Sequence, residues 1–462
     1  MPVTHQRIHF IGIGGYGMSG LALVFSAAGA VVSGSDVKES SRTKRLQEAG
    51  ITVRIGHDPA HVQGADLVVR STDVRDDNQE LVAARQAGIP VWHRSELLAA
   101  LINERPSLAV SGVHGKTTTT AMLALILAAA GLDPTVLVGG ELPEWNGTAR
   151  IGAGLYLVAE ADESDGSFLR YHPQVAIVTN IEPEHLEYYA GDYQRLVAAF
   201  ARFIRQVRPG GQAVLGGDDP QVRRIAAQAA VPVTFCGFQP GNHCRILPGA
   251  DKQRFVVLRG ETELAELALL VPGRHNAQNA LLALTAAHLC GVPFQAGAEA
   301  LASFRGVKRR FEVLHAGPVR VVDDYAHHPT EIRATLQAAR EGATGRVIAV
   351  FQPHRYTRTK ALLHEFAAAF ADADQVVLAP IYAPPGEPQI PGISSQRLAE
   401  LIRERDKRPV AVVAGQDELL QYLLDLMQSG DTILTMGAGD IWQVGHRLAQ
   451  ALARPEQLES RA

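Results

Sequence analysis

The chain has 462 residues, which is too long for one ordinary hydrophobic core and suggests about three domains. Its 46% hydrophobic and 20% charged residues are typical of a globular protein, and the apolar runs are too short to span a membrane. The net charge of −4, without a basic tract, argues against nucleic acid as a partner.

The first predicted elements are a strand, a glycine turn and a helix. The strand "RIHFIGI" leads into Gly12-Ile13-Gly14-Gly15-Tyr16-Gly17, and the helix "GMSGLALVFSAAG" and the strand "AVVSGSD" follow. No leader pattern precedes this run, and the three cysteines lack metal-ligand spacing, so we expect a cytoplasmic protein with free thiols. The strands "ADLVVRS" and "PVWH" and a helix over 95–103 complete a first domain, predicted over 1–105.

The glycine turn matches the pattern G-x-G-x-x-G between a strand and a helix. Glycines in this position let a phosphate approach the backbone N–H groups at the helix start. Asp36 lies 19 residues after Gly17, where such folds bind a ribose. A nicotinamide dinucleotide or another diphosphate-linked nucleoside fits this pattern equally well. The alternative is that the glycines serve only to pack the helix on the strand.

A second series begins at "SGVHGKTTTT", between the strand "LAVSG" and a predicted helix over 117–130. The usual phosphate loop, G-x-x-x-x-G-K-[ST], would place a glycine where this chain has Val110. Gly112, Gly115, Lys116 and Thr117 still supply a strand end, inward N–H groups, a lysine for phosphates and a hydroxyl for Mg²⁺. The sequence therefore predicts a shortened phosphate loop, against the alternative of an ordinary turn with a solvated lysine.

Acidic residues end a neighbouring strand of this series, "LYLVAEAD". The carboxylates are those of Glu160, Asp162, Glu163 and Asp165, and Mg²⁺ on a nucleotide needs one or two such ligands. A solvated acidic strand exit is the equally plausible alternative. His185 follows the strand "VAIVTN", and taken alone it fits a surface or packing role.

The predicted pattern of secondary structure changes twice in the rest of the chain. Residues 244–271 predict an antiparallel meander, and helices are expected over 275–290 and 295–303. A third series of strands alternating with helices then runs from "VRVVDDY" through a helix over 329–340 to "TILTMGAGD", whose glycine pair fits a structural turn. The fold class is therefore α/β with mainly parallel sheets, and the tail "RPEQLESRA" is expected to be frayed.

These motifs together resemble those of the ATP-dependent Mur ligases of peptidoglycan precursor synthesis. The matching strings, spread over nearly the whole chain, are "HFIGIGGYGMSGLA", "GVHGKTTTT", "EADESDGSF", "TNIEPEHL", "PGRHNAQNAL", "GVKRRFE", "DDYAHHPTEI", "FQPHRYTRT" and "MGAGDI". The resemblance implies an N-terminal Rossmann-like domain for a UDP-sugar (1–105), a central P-loop ATPase-like domain (106–312) and a C-terminal Rossmann-like domain for an amino acid (313–462). It also implies that the shortened loop is the family's own form.

The resemblance further implies roles for individual residues. The expected ATP-binding residues are Gly112, Val113, His114, Gly115, Lys116, Thr117, Thr118, Asn276, Asn279, Arg310 and Asp324. The expected Mg²⁺ ligands are Thr117, Glu160 and His185, and the expected catalytic residues are Lys116, Glu160, His185 and Arg310. The UDP-sugar would contact Gly12, Gly14, Gly15, Gly17, Asp36 and Ser71, and the amino acid would contact Tyr325, His354, Arg355 and Arg358.

Within the family, one position favours a particular branch. Other branches carry a carbamylated lysine fifteen positions after the metal histidine, where this chain has Phe200. That difference favours the branch that joins L-alanine to UDP-N-acetylmuramate through an acyl phosphate. The chain differs from the family pattern at Val113, where threonine is usual, and at the glutamates of "EPEHL". Neither difference changes a residue that is expected to contact a ligand.

Several alternatives remain open at this point. A ligase that attaches a recycled tripeptide to the same sugar nucleotide is the nearest, followed by a nicotinamide dehydrogenase and a regulatory nucleotide-binding protein. Asn276 would otherwise be a helix N-cap, Asn279 a polar surface residue, and the arginines solvated. Arg309 is easily confused with Arg310, and adjacent His327 and His328 point apart in an extended chain, which disfavours a zinc site. The oligomeric state is open between a monomer and a homodimer.

Overall fold

The computed structural model of the protein describes residues 5–142, 145, 147–384 and 386–453. The tail "RPEQLESRA", residues 454–462, lies outside the described residues. The chain divides into two compact units. The first runs through Leu270 and also contains Asn276–Phe304, and the second contains Val271–His275 and the chain from Arg305 onward.

The first unit begins with a five-stranded, fully parallel sheet in the order β3-β2-β1-β4-β5. Its strands and helices are β1 (Arg7–Ile11), α1 (Tyr16–Ala27), β2 (Val31–Asp36), α2 (Ser41–Glu48), β3 (Thr52–Ile55), β4 (Leu67–Arg70), α3 (Gln79–Gln86), β5 (Val91–His93) and α4 (Arg94–Glu104). The predicted strands and the predicted helix over 95–103 are confirmed. The sequence did not identify α2, β3 or α3, because these elements are short and weakly patterned.

A buried carboxylate ties several of these elements together. Glu80, in the first turn of α3, accepts a hydrogen bond from Ser35 Oγ at 2.5 Å, and its oxygens lie 3.4 Å from His9 Nε2 and 2.6 Å from His61 Nδ1. His57 Nδ1 lies 3.5 Å away. Burial alone would raise the pKa of Glu80, but the hydrogen bonds from His9, Ser35 and His61 outweigh it and lower the pKa from 4.5 to about 2. The carboxylate is therefore ionised inside the fold.

The second sheet of the first unit has ten strands in the order β15-β14-β13-β12-β11-β10-β6-β9-β7-β8. Its strands are β6 (Ser107–Ser111), β7 (Thr135–Leu142), β8 (Gly147–Arg150), β9 (Leu157–Glu160), β10 (Val175–Val178), β11 (Gln212–Gly216), β12 (Val233–Gly237), β13 (Cys244–Pro248), β14 (Arg254–Arg259) and β15 (Thr262–Ala268). The helices are α5 (Lys116–Ala129), α6 (Tyr193–Arg205), α7 (Pro220–Ala226), α8 (Arg274–His288) and α9 (Phe294–Leu301).

The predicted antiparallel meander is confirmed as β13, β14 and β15. It extends the parallel sheet through β12, which pairs with β13 in the parallel sense. Phe200 is fully buried in α6, where its ring meets that of Phe168 edge to face at 5.1 Å. The position that distinguishes branches of the family is therefore a core position in this chain.

The second unit contains a six-stranded sheet in the order β16-β17-β21-β18-β19-β20, parallel except for the β16–β17 pair. Its elements are β16 (Glu312–Ala316), β17 (Arg320–Asp324), α10 (Pro329–Gly342), β18 (Val347–Phe351), α11 (Tyr356–Ala361), α12 (Leu363–Ala367), β19 (Gln375–Leu378), α13 (Ser395–Asp406), β20 (Val410–Val412), α14 (Gln416–Leu426), β21 (Thr432–Met436) and α15 (Trp442–Leu452). The α/β fold class is confirmed, with mainly parallel sheets. Over the described residues, no helix has both the length and the apolar character needed to cross a bilayer.

Candidate active site

The N-terminal glycine turn connects β1 to α1 and is braced by β2. The N–H groups of Gly12 and Ile13 donate to Ser35 O at 2.8 and 2.9 Å, and the N–H of Gly14 donates to Asp36 Oδ2 at 2.8 Å. A Cβ at Gly14 would lie 2.8 Å from the same Asp36 oxygen, so glycine is required there. Asp36, the predicted ribose residue, thus also holds the turn that precedes it.

The helix that follows this turn begins without a side-chain cap. Gly15 is the N-cap of α1, which leaves the first N–H groups of the helix available to an anion. Arg42, which the sequence did not single out, donates from Nε to Gly14 O at 2.6 Å and lies 4.0 Å over the exposed ring of Tyr16. Ser71 is half-buried just after β4.

The shortened phosphate loop connects β6 to α5 and requires both of its glycines. Gly112 has a φ of 128°, and a Cβ there would collide with Thr179 Oγ1. Gly115, the N-cap of α5, has a φ of 83°, and a Cβ there would lie 2.5 Å from Asn279 Oδ1. Residues other than glycine rarely adopt such φ values, so the glycines at both positions are explained by the backbone conformation of the turn.

Thr179 and Asn180, directly after β10, hold the phosphate loop in place through hydrogen bonds. Thr179 Oγ1 and Asn180 Nδ2 donate to His114 O at 2.6 and 3.0 Å, and the N–H of His114 donates to Asn180 Oδ1 at 2.9 Å. Asn180 O also accepts from Val113 N at 3.2 Å. The sequence assigned no role to Thr179 or Asn180, although both stand in the string "TNIEPEHL". No local sequence pattern could have identified them, because β10 and β6 become neighbours only in the folded sheet.

Lys116 is oriented toward the inside of the loop. Its Nζ donates to Gly112 O at 2.8 Å and Val113 O at 3.2 Å, and it lies 2.8 Å from Glu163 Oε2. Burial alone would lower the pKa of Lys116, but the carboxylates of Glu163, Asp162 and Glu160 outweigh it and raise the pKa. Lys116 is therefore a charged group, aimed at the space that the loop encloses.

Glu163 is the acid of this ion pair, and the sequence had grouped it only with the other acids after β9. Its carboxylate is completely buried. Burial raises the pKa of Glu163 to about 7 in spite of the opposing charge of Lys116. Glu163 thus lies beside Lys116 at the position from which it holds the ammonium group against the loop.

Two of the predicted Mg²⁺ ligands lie side by side. Thr117 Oγ1 donates to Glu160 Oε2 at 3.0 Å, and the same oxygen accepts from Gly139 N at 2.8 Å. His185, the third predicted ligand, follows β10 with a φ of 55°, and its Nε2 lies 3.8 Å from Glu184 Oε1. The structure thus brings Thr117 and Glu160 together, whereas His185 faces Glu184.

The two predicted asparagines belong to α8, which begins at Arg274. Asn276 is therefore inside the helix, and the alternative of an N-cap is wrong. Both Asn276 and Asn279 are buried, so Asn279 is not a polar surface residue. Asn279 lies against Gly115, where it contributes to the wall of the loop. Thr118 is also buried, in the first turn of α5.

In the second unit, the adjacent residues Arg309 and Arg310 have different hydrogen-bond and ion-pair partners. Arg309 Nε donates to the buried Asp323 at 3.1 Å, and its NH2 donates to Gly437 O, in the turn "MGAGD", at 2.6 Å. Arg310 instead lies 3.6 Å from Glu331 Oε1. Both guanidinium groups lie near the ring centre of Tyr325, that of Arg309 at 5.1 Å and that of Arg310 at 5.0 Å. Arg309 is thus a structural residue that holds a turn, and Arg310 is the more exposed of the pair.

Asp324 and Tyr325 end strand β17. The two Asp324 oxygens accept from Phe311 N at 2.8 Å and Ala326 N at 2.7 Å. Burial raises the pKa of Asp324 to about 6, against the opposing charge of Arg310. Asp324 thus shapes the chain around Arg310, and its carboxylate is already engaged by backbone donors.

The predicted amino-acid residues follow β18. His354 stacks on the ring of Tyr382 at 5.5 Å, and its Nδ1 lies 3.3 Å from Arg358 NH1. Arg355 is exposed, with a φ of 69°, at the start of α11. Burial and the neighbouring His327, Arg358 and Arg355 lower the pKa of His354 to about 3. His354 is therefore neutral, and the positive charge of this cluster comes from the two arginines.

The adjacent histidines of "DDYAHHP" have different partners. His328 is the N-cap of α10, where its Nδ1 accepts from Thr330 N at 3.4 Å. The Nδ1 of His327 lies 3.0 Å from Tyr325 O, and its ring meets that of Tyr325 edge to face. The two histidines thus have different partners.

Three family models match nearly the whole chain. They are the Mur ligase family catalytic domain over residues 7–106, the Mur ligase middle domain over 110–287 and the Mur ligase glutamate ligase domain over 309–439. A UDP-N-acetylmuramate–L-alanine ligase from Symbiobacterium thermophilum is 54% identical over 457 residues, which cover 97% of this chain and 95% of that protein.

Two solved structures resemble the whole chain. A UDP-N-acetylmuramate–alanine ligase from Thermotoga maritima superimposes with a TM-score of 0.82 and 31% identity, covering 97% of this chain and 99% of that one. A murein peptide ligase from Psychrobacter arcticus gives a TM-score of 0.71 and 27% identity with the same coverage.

Proposed function

Because the chain belongs to the Mur ligase family, we propose that it joins L-alanine to the carboxylate of UDP-N-acetylmuramate with consumption of ATP, in peptidoglycan precursor synthesis. The observation that carries this proposal is the loop around Lys116, whose charged Nζ and flanking Thr117–Glu160 pair suit the phosphates and the cation of a nucleoside triphosphate. The identity to alanine-adding relatives over nearly the full chain supports the choice of substrates.

Mg²⁺ is the cation that the loop residues fit. The donor set of Thr117 and Glu160 consists of oxygen atoms 3.0 Å apart, a spacing suited to two neighbouring ligands of a small hard cation. When bound, the ion would neutralise negative charge on the β- and γ-phosphates. We propose His185 as a further ligand on the basis of the family resemblance.

The chemistry requires activation of a carboxylate, since a carboxylate is a poor electrophile. A carboxylate oxygen of the sugar nucleotide attacks the γ-phosphorus of ATP, the bond to the β,γ-bridging oxygen breaks, and ADP leaves. The amine of alanine then attacks the acyl carbon, loses a proton and displaces inorganic phosphate. Lys116 neutralises the charge that develops on the transferred phosphoryl group, and electrostatic stabilisation of this kind is usually the largest single contribution to catalysis.

The remaining predicted residues divide between the two units. In the first unit, we assign the glycine turn with Asp36 and Ser71 to the UDP-sugar, and Asn276 and Asn279 to the ATP side. In the second unit, we assign Arg310 and Asp324 to the nucleotide side and the cluster of Tyr325, His354, Arg355 and Arg358 to alanine. The two arginines of that cluster carry the charge suited to an amino-acid carboxylate, with His354 as a neutral hydrogen-bonding group.

The main alternative is a ligase that attaches a recycled tripeptide to the same acceptor. The murein peptide ligase from Psychrobacter arcticus is less similar to this chain than the alanine ligase from Thermotoga maritima, which favours alanine. Substrates of this kind, ATP and a sugar nucleotide, are those of a cytoplasmic enzyme.

Ligation assays with purified protein test the proposal. The protein would be incubated with ATP, Mg²⁺ and UDP-N-acetylmuramate, together with L-alanine, L-serine, glycine or the tripeptide, while phosphate release and product mass are measured. We expect phosphate release that requires both the sugar nucleotide and L-alanine, and a product heavier by one alanine residue. Ligation of the tripeptide but not of L-alanine would establish the alternative. If none of the amino donors is ligated, both proposals are refuted.

A further inference from the structure

Cys236 and Cys244 lie opposite each other where the parallel part of the ten-stranded sheet meets the antiparallel meander. Cys236 belongs to β12, Cys244 is the first residue of β13, and the two are register partners in a parallel ladder. Register partners on neighbouring strands present their side chains to the same face of the sheet. Neighbouring strands are about 4.8 Å apart, and a disulfide joins Cα atoms that are about 4.4–6.8 Å apart. The backbone therefore allows a disulfide here without a change of register.

The side chains of the pair are in contact on the face of the sheet that α8 covers. Cys236 Sγ lies 3.3 Å from Thr285 Oγ1, on that helix. A hydrogen bond from the Cys236 thiol lowers the pKa of Cys244 to about 7 against the effect of burial, with smaller contributions from Thr285 and Arg259. Arg259 is the register partner of Cys244 on β14. Burial raises the pKa of Cys236. Cys244 is therefore the better nucleophile, and Cys236 is the thiol that keeps its proton.

The two cysteines differ in how firmly their strands hold them. Both are buried free thiols, but the residue before Cys244, His243, is exposed. The ladder between β12 and β13 has two register positions, so the start of β13 is weakly paired on this side. Cys236 O instead accepts from Gly217 N and Gln278 Nε2, each at 2.8 Å. A local opening at the start of β13 thus exposes Cys244 before Cys236.

We propose that Cys236 and Cys244 form a redox-active dithiol that a small hydroperoxide converts into an intramolecular disulfide. The thiolate sulfur of Cys244 attacks one oxygen of hydrogen peroxide. An S–O bond forms, the O–O bond breaks, and the departing hydroxide takes up a proton to give water. The sulfur of Cys236 then loses its proton and attacks the sulfur of the sulfenic acid. An S–S bond forms, the S–O bond breaks, and a second water leaves, so two thiols have reduced one peroxide.

The disulfide would fasten the first strand of the meander to the parallel part of the sheet. Because a cross-link restricts the unfolded chain, the oxidised protein should melt at a higher temperature than the reduced protein. Neither cysteine belongs to the candidate active site, so the inference does not depend on the proposed ligase reaction.

Mass spectrometry of the folded, full-length protein after treatment with a small molar excess of hydrogen peroxide tests the inference. Trypsin would release residues 225–245 as one peptide, which contains both cysteines and no methionine. We expect this peptide to lose two hydrogen atoms and to yield no fragment ions from breakage between the cysteines. Dithiothreitol should restore the original mass. Cys290 is the internal control, because burial raises its pKa to about 11 and it should remain a thiol.

Serine variants separate the roles of the two cysteines. Cys236→Ser should stop at a sulfenic acid on Cys244, which dimedone traps as a stable adduct. Cys244→Ser should give neither a disulfide nor an adduct under the same conditions. The matched control Cys290→Ser should form the disulfide as the wild type does. If a variant does not fold, the peptide mass of the wild type carries the test by itself.

Three results would overturn the inference. The first is a peptide 225–245 that keeps its mass after peroxide treatment of the folded protein. The second is a disulfide that forms only in urea, since the cysteines would then pair in the unfolded chain and not across β12 and β13. The third is a dimedone adduct on Cys236 in Cys244→Ser with none on Cys244 in Cys236→Ser.

Discussion

The hydroxyl of Thr117 donates a hydrogen bond of 3.0 Å to Glu160 Oε2, joining the first turn of α5 to the end of β9. This contact places two oxygen ligands next to the phosphate loop before any nucleotide is bound. We expect Glu160→Gln to lower ATP turnover about 100-fold, because an amide replaces the charge that holds the cation. Magnesium titrations of ADP formation measure this effect. The control is Glu266→Gln, at an exposed position on β15, and an unchanged magnesium dependence in Glu160→Gln would contradict the assignment.

Lys116→Met should reduce ADP formation about 1,000-fold, since the cation that neutralises the transferred phosphoryl group is lost. UDP binding should remain within about twofold of the wild type, because the glycine turn is untouched. The variant leaves Glu163 buried without its cation, which should lower the melting temperature. Lys116→Met/Glu163→Gln should recover stability but not activity. Turnover near the wild-type rate in either variant would refute the role of Lys116.

Gly115→Ala should destabilise the protein more than Gly131→Ala does. Both glycines have positive φ, so each substitution costs about 1–2 kcal/mol in backbone strain. Only at Gly115 would the new Cβ also meet a neighbour, Asn279 Oδ1, whereas the space around Gly131 is open. Urea unfolding measures the difference, and ATP titration should show weaker binding for Gly115→Ala alone. Equal stabilities would show that the loop adjusts freely.

Arg309→Gln and Arg310→Gln should separate stability from activity. Loss of Arg309 leaves the buried Asp323 without its cation and should cost about 3 kcal/mol in the free energy of unfolding. Loss of Arg310 removes a partly exposed side chain and should mainly lower kcat, with a small effect on unfolding. Denaturant titration and steady-state kinetics on the same preparations test this division. The reverse result would exchange the roles of the two arginines.

Glu80→Gln should change the pH dependence of stability. The pKa of this acid is lowered in the folded state, so its stabilising contribution is present above the unfolded value of 4.5 and is lost as the pH falls toward about 2. That contribution is roughly 3 kcal/mol at neutral pH. Unfolding free energies of wild type and variant should therefore differ at pH 7 and converge as the pH falls below about 4.5. A constant difference would show that Glu80 acts through packing instead.

Local patterns were sufficient to predict much of the fold. The strand before each glycine turn and the helix after it follow from short-range periodicity, so α4, α5 and α10 lie within two residues of their expected bounds. Elements such as α2 and β3 carry few apolar residues and were therefore not identified. The domain boundaries at 105 and 312 remain predictions.

Contacts within the candidate site were harder to predict. The phosphate-loop residues lie close together in the sequence, and their chemistry could be predicted from their spacing alone. They are Gly112, Gly115, Lys116 and Thr117. The pairing of Lys116 with Glu163, and not with another acid of that cluster, depends on the direction in which each side chain leaves the turn after β9. The clamp by Thr179 and Asn180 depends on the sheet order, because β10 adjoins β6 only in the folded sheet. Periodicity carries no information about either relationship.

The central position of β6 has a consequence for engineering. Strands β9 and β10 flank it, and each delivers groups to the turn at its end from a part of the chain more than forty residues away. A synthetic peptide of β6, the turn and α5 would lack the groups that β9 and β10 supply on either side. We therefore expect that Lys116 would not be held in one orientation in such a peptide. Grafting this turn onto another scaffold would require all three strand exits to be transplanted together.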